Sequence, residues 1–328
     1  MTVTNKLKDI TVRRLREDEL QAGDRIMRLA FGTFLGLPHP MDFMGDADYV
    51  RTRWAADPAV ALAAEIDGGL VGTNFVTRWG SVGFFGPLTV LPSWWDQGVA
   101  RALLGGTMAV FDEWGVTHRG LFTFGHSPKH ISLYQSYGFL PRFLTPILEK
   151  PVSSLAEGWA TEPADSIARQ TRTFSSLADP EQGLVKAAEV TGSIFEGLDV
   201  RREISAVNVQ NLGDTVMVYQ ESNLMAFAVC HVGPHTEAGT GKCFVKFGAA
   251  RAGALAPLHF AWLLDACESF AADRGASTIV AGVSTGRRGA YRQLLERGYR
   301  ASLIGVTLHT PDVDTYHNPD DYVLDDWR

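Results

Sequence analysis

The chain has 328 residues, roughly twice the length of an ordinary domain, so its length favours two domains. Hydrophobic residues make up 45% and charged residues 20%, which supports a buried core and argues against a disordered, collagen-like or coiled-coil chain. Thirty Lys and Arg against thirty-seven Asp and Glu give a formal charge of −7, which argues against a general basic surface for nucleic acid.

Membrane segments, secretion and disulfides are not indicated either. No apolar run approaches the roughly 20 residues that a helix needs to span a bilayer. Residues 1–9 carry two lysines with no apolar stretch after them, which is not typical of a secretory signal. Cys230, Cys243 and Cys267 form no CxxC pair, so we expect reduced thiols or small core residues. These features predict a soluble, cytoplasmic protein with no membrane partner.

The first half of the chain alternates between helical and strand-like patterns. Apolar spacing predicts helices at 17–31, 46–54, 98–114 and 126–137, with Asp46 as a helix cap and Gly138 as a helix stop. The same reasoning predicts strands at 10–15, 59–66, 70–78, 82–90, 121–125 and 139–148, with a hairpin turn at Asp67-Gly68-Gly69.

The second half repeats this order. Helices are predicted at 184–195, 202–208, 258–272 and 287–295, and strands at 169–174, 216–220, 224–232, 243–249 and 278–283. Aligning Trp114-Gly115 with Arg274-Gly275 gives a shift of 160 residues, and the same shift places Gly138-Phe139 on Gly298-Tyr299. Agreement at two separate points indicates an internal duplication.

These patterns predict a first domain at 1–150, a linker at 151–168 and a second domain at 169–328. The tail at 311–328 is acidic and aromatic. Such a tail is either solvated or, as its aromatic residues suggest, packed back on the body of the protein.

The sharpest local feature is the loop between a predicted strand and the long helix at 98–114. The strand ends at Pro92, and the small residues Gly98 and Ala100 open the helix, followed by Arg101. The first amides of a helix lack internal acceptors and lie at the positive end of its dipole. A phosphate can therefore approach this backbone closely, although Gly98 alone would also serve to ease a turn.

This loop resembles the motif of the GNAT superfamily of acyl-coenzyme A-dependent N-acetyltransferases. The family has Gln or Arg, two residues, Gly, one residue, then Gly or Ala, after a strand that ends in Val-x-Pro. Val90-Leu91-Pro92 and Gly98-Val99-Ala100 fit this pattern. Trp95 stands at the Gln or Arg position, a departure for which Gln97 is the nearest compensating side chain.

A second motif follows in the correct order. The family commonly shows Asn-x-x-Ala-x-x-x-Tyr-x-x-x-Gly-Phe; here Tyr134, Gly138 and Phe139 fit, whereas Ser127 replaces Asn and His130 replaces Ala. The resemblance implies an α/β (α+β) chain of two tandem GNAT-like domains, each a mixed, mostly antiparallel sheet flanked by helices.

The second copy lacks the motif residues. The 160-residue shift places Leu258 on Gly98, Phe260 on Ala100 and Leu294 on Tyr134. Bulky side chains at the first two positions would block approach to the helix amides. We therefore expect a degenerate second domain that binds no cofactor.

The resemblance implies acetyl-CoA as co-substrate, without a metal, with Tyr134 as the acid that protonates the leaving thiolate. The base is less well defined; His126, at the end of a predicted strand, is the candidate, although a lone His is more often a surface or structural residue. The alternative for Tyr134 is a core tyrosine that packs under its helix. The residues expected to bind the cofactor are Leu88, Thr89, Val90, Trp95, Asp96, Gln97, Gly98, Val99, Ala100, Arg101 and Ser127.

Acidic residues offer weaker candidates for the acceptor side. Asp42, Asp46 and Asp48 lie where related folds wall the acceptor pocket, and helix capping or solvation is the alternative. Glu65, in a strand, is only a conceivable base.

The sequence thus predicts an N-acyltransferase that moves an acetyl group from acetyl-CoA to a primary, small-molecule amine by direct attack in a ternary complex. Two alternatives stay open: a non-catalytic acyl-CoA-binding or sensor protein, suggested by the departures at Trp95 and Ser127, and transfer to an acceptor other than an amine. We expect a monomer or homodimer that binds no nucleic acid.

Overall fold

The structure is a computed structural model and describes residues 9–152 and 169–328, so the predicted linker lies outside the described residues after its first two positions. The α-helices are α1 (Leu20–Phe34), α2 (Tyr49–Ala56), α3 (Val99–Trp114), α4 (Pro128–Gln135), α5 (Pro180–Gly192), α6 (Arg201–Val209), α7 (Ala256–Asp273) and α8 (Arg288–Glu296). The strands are β1 (Thr11–Arg14), β2 (Ala61–Ile66), β3 (Gly69–Trp79), β4 (Val82–Phe85), β5 (Thr89–Val90), β6 (His118–Phe124), β7 (Leu140–Pro151), β8 (Arg169–Thr173), β9 (Gly213–Gln220), β10 (Asn223–Gly233), β11 (Gly239–Ala250), β12 (Thr278–Gly282), β13 (Arg300–Thr310) and β14 (Val323–Asp325).

Two predicted elements of the first half differ from the structure. The single strand expected at 82–90 is interrupted at 86–88, since Pro87 has no N–H to donate and Gly86 donates instead to the Phe75 carbonyl, at 2.8 Å. The helix expected from residue 46 begins at Tyr49, so Asp46 does not cap it. The Asp46 carboxylate instead accepts hydrogen bonds from the backbone N–H and the hydroxyl of Thr240, at 2.8 and 2.6 Å.

The described chain divides into two compact units. Unit 1 comprises residues up to 45, 49–77 and 85–115. In it, β1, β2 and β3 form an antiparallel sheet, and β5 pairs with β3 through Gly72 opposite Val90 and Thr73 opposite Thr89. The amphipathic helices α1 and α3 pack on these strands, where the Asn74 amide donates to the Thr107 hydroxyl at 2.7 Å.

Unit 2 comprises residues 46–48, 78–84 and 116–328. Its strands β6 to β13 form one sheet in the order β6-β13-β7-β12-β11-β10-β9-β8, in which β11 and β12 are parallel and the other paired strands antiparallel. Helices α7 and α8 cover one buried face and α5 and α6 the other. All three cysteines are free and buried in this unit, which confirms the expected core role.

The last strands of the two sequence repeats are exchanged within unit 2. Strand β13 of the second repeat lies between β6 and β7 of the first, and β7 pairs with β12 of the second repeat. Each repeat therefore completes its sheet with a strand of the other. The domain boundaries at 150 and 169 stay predictions, because they divide strands that the sheet joins.

The duplication is visible in the element positions. Strand β12, helix α8 and strand β13 each begin 160 residues after β6, α4 and β7. The expected fold class is confirmed: the chain is a mixed α/β structure with a mostly antiparallel sheet flanked by helices. Among the described residues, no helix combines the length and apolar character that crossing a bilayer requires.

The C-terminal tail packs back on unit 2, as its aromatic residues suggested. Tyr316 and Trp327 are buried, and β14 pairs antiparallel with β11. The fully buried Arg287 guanidinium forms an ion pair with the Asp325 carboxylate and donates to the Tyr316 carbonyl at 3.1 Å. This pair anchors the tail with two charges that are both removed from water.

Asp325→Ala leaves the Arg287 charge buried without its carboxylate, a change that should lower the free energy of unfolding by about 3–5 kcal/mol. Urea denaturation followed by circular dichroism measures the loss. Asp312→Ala is the matched control, because its partner Arg142 is bound at a carboxylate that is 52% exposed, and about 0–1 kcal/mol is expected there. Equal losses in the two variants would contradict the anchoring role of Asp325.

A cluster of three buried histidines lies under the tail. The rings of His118 and His309 share a hydrogen bond of 2.7 Å between Nε2 and Nδ1, and His317 packs edge-on against His309. Burial is the main cause that lowers the pKa of His118, to about 4, and it holds the pKa values of His309 and His317 well below their ordinary range. All three are therefore neutral in the folded protein at neutral pH.

Because the unfolded chain binds protons at these histidines near pH 6.5 and the folded chain does not, stability should be constant above that pH and fall as the pH drops towards 4. Each proton taken up on unfolding contributes a slope of about 1.4 kcal/mol per pH unit. Urea unfolding at a series of pH values measures the slope. His317→Phe should reduce it, whereas His39→Gln, at an exposed position, should not; an unchanged slope in His317→Phe would count against the cluster as its source.

Candidate functional site

Two residues with positive φ shape the loop before α3. Strand β5 ends at Val90, a 3-10 turn follows at Pro92–Trp94, and Asp96 and Gly98 both adopt positive φ, +62° and +87°. Gly98 is the residue that precedes the first turn of α3. An L side chain is disfavoured at this φ, which gives a conformational reason for glycine.

Space at Gly98 is open within unit 1. A Cβ atom built there would meet only the Ile10 Cδ1 atom, at 3.8 Å, so packing does not demand glycine. The amides of Val99, Ala100 and Arg101 follow in the first turn, where helix geometry supplies no internal acceptor. Arg101 is exposed and adds a positive charge to the same turn. The loop therefore has the backbone and charge of an anion-binding helix start.

Two polar side chains of the loop brace the loop itself. The Trp95 indole N–H donates to the Val90 carbonyl at 2.8 Å, and the Gln97 amide donates to the Ser93 carbonyl at 2.9 Å. Trp95, the departure from the family motif, thus fixes the loop to the end of β5. Gln97, expected to compensate for it, makes a structural hydrogen bond.

At β5 the side chains and the backbone have different surroundings. The buried Thr89 hydroxyl hydrogen-bonds the Thr73 hydroxyl at 3.0 Å, and Val90 is buried as well. Side chains at these positions belong to the core of unit 1. Any contact of Thr89 or Val90 with a ligand would have to use the main chain.

In unit 2, Ser127 begins α4 as its N-cap. Its hydroxyl accepts from the His130 N–H at 3.4 Å and the residue is buried. The cap satisfies one amide of the helix start and leaves the hydroxyl proton for donation. Ser127, at the Asn position of the family motif, is therefore a helix cap in this chain.

Tyr134 is buried in α4, and burial raises the pKa of its phenol. The phenol is therefore protonated at neutral pH, as an acid must be. His130 lies four residues earlier on the same helix face, and burial is the main cause that lowers its pKa. His126 is exposed, with its ring centroid 5.7 Å from that of Phe124. From the sequence, His130 is expected to face solvent or the cofactor, and that stays a prediction.

The acidic candidates are engaged elsewhere. Hydrogen bonds from Thr240 lower the pKa of the Asp46 carboxyl. Glu65 accepts from the Arg13 guanidinium at 2.7 Å, and Arg13 also binds Glu19. These contacts favour structural roles for Asp46 and Glu65. Within residues 9–152 and 169–328, no three His, Cys, Asp or Glu side chains gather closely enough to hold a metal ion.

The second repeat starts its long helix earlier than the 160-residue shift implies. Helix α7 begins at Ala256, so Leu258 is its third residue and is 40% exposed rather than seated at the helix start. Phe260 and Leu294 are fully buried in the core beside α7. Tyr322 of the tail packs on Phe260, and the two ring centroids lie 5.4 Å apart.

Comparisons with known proteins match part of the chain to one protein family and the whole chain to one fold. Residues 26–139 match the model of the acetyltransferase (GNAT) family. Three similar structures are a Pyrococcus horikoshii protein classed among acetyltransferases, a GCN5-related N-acetyltransferase from Sphaerobacter thermophilus, and a tandem GNAT protein from the clavulanic acid biosynthesis pathway. No curated protein matches the sequence.

These structures share the fold over nearly the whole chain. The Pyrococcus protein is 12% identical with a TM-score of 0.69, covering 100% of this chain and 98% of its own. The Sphaerobacter enzyme is 13% identical (TM-score 0.59, covering 92% and 95%), and the tandem protein 12% identical (0.60, covering 92% and 98%). The chain therefore has the GNAT fold, and its residues 26–139 match the model of the GNAT acetyltransferase family.

Proposed function

We propose that the protein is an N-acetyltransferase that moves the acetyl group of acetyl-CoA to a primary amine within a ternary complex. The observation that carries the proposal is the start of α3, where a left-handed Gly98 with open space precedes the first helix amides in a segment that matches the acetyltransferase family model. The amine is proposed to be a small molecule.

Cofactor binding would divide between backbone and side chains of unit 1. The amides of Gly98, Val99 and Ala100 would hold the diphosphate, and Arg101 would add a charge-assisted contact. The main chain of Leu88–Val90 would bond the extended arm as an added strand and polarise the thioester carbonyl. Acetyl-CoA itself supplies the activated acyl group.

The chemical step needs one acid and one base. The amine nitrogen forms a bond to the thioester carbon, the carbon–sulfur bond breaks, and Tyr134 gives its proton to the sulfur that leaves. His126, directly or through water, would take one proton from the ammonium group, so that the neutral amine attacks. The second proton, which the nitrogen loses as the amide forms, would return the Tyr134 phenolate to its protonated form. Burial raises the pKa of the Tyr134 phenol, which keeps it protonated at neutral pH but makes it a weaker acid toward the leaving thiolate.

A second candidate is an acyl-CoA-binding or sensor protein without turnover. The departures from the family motif at Trp95 and Ser127, and the loss of the motif residues from the second repeat, favour it. Release of free thiol over a panel of amines separates the two candidates. Sustained turnover with any amine removes the sensor function.

Gly98→Trp should weaken acetyl-CoA binding by about 100-fold or more, because the indole would cover the helix amides. Isothermal titration calorimetry measures the dissociation constant. Gly105→Ala is the matched control on the same helix, where a Cβ meets nothing within 4 Å and binding should be unchanged. If wild-type protein shows no heat with acetyl-CoA at high micromolar concentration, the proposed function is wrong.

Tyr134→Phe should lower kcat by about 100-fold while the dissociation constant for acetyl-CoA stays within twofold, since only the transferable proton is removed. Steady-state thiol release and calorimetry measure the two constants. Loss of affinity equal to that of Gly98→Trp would show that Tyr134 binds the cofactor and does not act as the acid.

A further inference from the structure

One edge of β11 changes partners along its length. Residues Lys242–Val245 pair with β12, and Phe247–Ala249 pair with β14 of the tail. The Ala250 N–H then donates to the Tyr322 carbonyl at 3.0 Å. The tail thus enters the sheet as an added strand where β12 has left β11.

This stretch of β11 is the second repeat's counterpart of the proposed arm-binding strand. The 160-residue shift places Gly248, Ala249 and Ala250 on Leu88, Thr89 and Val90. We propose that the second repeat has a cleft equivalent to the proposed acetyl-CoA cleft of the first, and that the C-terminal segment 316–328 occupies it. This copy then binds a peptide strand of its own chain. The equivalence of the two clefts rests on the proposed function, whereas the tail's place on β11 does not.

Side chains hold the occupant at positions that match the first repeat's motifs. Arg287 is the counterpart of Ser127 and pairs with Asp325, whose other oxygen accepts from the Tyr316 hydroxyl at 2.6 Å. Tyr322 packs on Phe260, the counterpart of Ala100. An aromatic ring and a carboxylate of the tail therefore lie beside the residues that correspond to the proposed cofactor contacts.

Two glycines leave space that the C-terminal segment fills. A Cβ on Gly282 would lie 2.2 Å from the Asp326 Cβ, and a Cβ on Gly289 would lie 2.2 Å from the Tyr322 hydroxyl oxygen. Neither glycine has the positive φ that would explain it by backbone conformation. The absence of side chains at these positions makes room for the tail.

Hydrogen–deuterium exchange on the full-length chain, with and without saturating acetyl-CoA, tests the proposal. Without ligand, the Ala250 amide should exchange at least 100-fold more slowly than an exposed amide. With ligand, exchange should slow at the loop before α3 and stay unchanged at Ala250 and in the tail. Faster exchange of the tail on addition of acetyl-CoA would mean that the ligand displaces it, which overturns the proposal.

The Gly282→Ala variant tests the position of the tail, because its methyl group would push Asp326 and the strand before it away from β11. We expect exchange at Ala250 to rise at least tenfold in this variant. Gly192→Ala is the control in the same unit, since a Cβ there meets nothing within 4 Å and Ala250 should be unaffected.

The two failures are distinguishable. A wild-type Ala250 amide that exchanges as fast as an exposed amide overturns the occupied cleft. Absence of any acetyl-CoA effect at the loop before α3, with Ala250 still protected, overturns only the proposed function. Because the ligand experiment uses wild-type protein, it decides the question even if Gly282→Ala fails to fold.

Discussion

Backbone hydrogen bonding between the two sequence repeats is the constraint on which unit 2 depends. A buried strand must pair its N–H and C=O groups, and β6 and β12 each pair with the last strand of the other repeat. Neither repeat can complete its sheet from its own 160 residues. The two repeats therefore form one continuous sheet.

The tail adds a second layer of dependence. It closes the edge of β11 that β12 leaves, and it places one carboxylate beside the fully buried Arg287. An unpaired guanidinium in that position would be costly, so the sequence must provide Asp325 at the register that β14 sets. The histidine cluster beside Tyr316 adds neutral rings that burial keeps unprotonated.

The repeats have diverged by what they place against the same stretch of strand. In the first, Gly98 and small neighbours keep the start of α3 accessible, and Trp95 braces the loop from the strand end. In the second, Phe260 and Tyr322 fill the corresponding region with aromatic rings. The difference between the two repeats thus lies in a few side-chain volumes and one added strand.

The sequence by itself predicted most of the helices and strands, the 160-residue repeat and the motif around Gly98, because periodicity, glycine spacing and repetition are read directly from the order of residues. It also singled out Tyr134 as a candidate, because its distance from Gly138-Phe139 is fixed along the chain. Only the tertiary structure decided which strands pair, because the exchange of β7 and β13 joins residues about 160 positions apart and leaves no local trace. Distant partners also decide three local features, which composition and spacing do not encode. These are the strand break at 86–88, the hydrogen bonds of the Asp46 carboxylate to Thr240, and the position of the tail on β11.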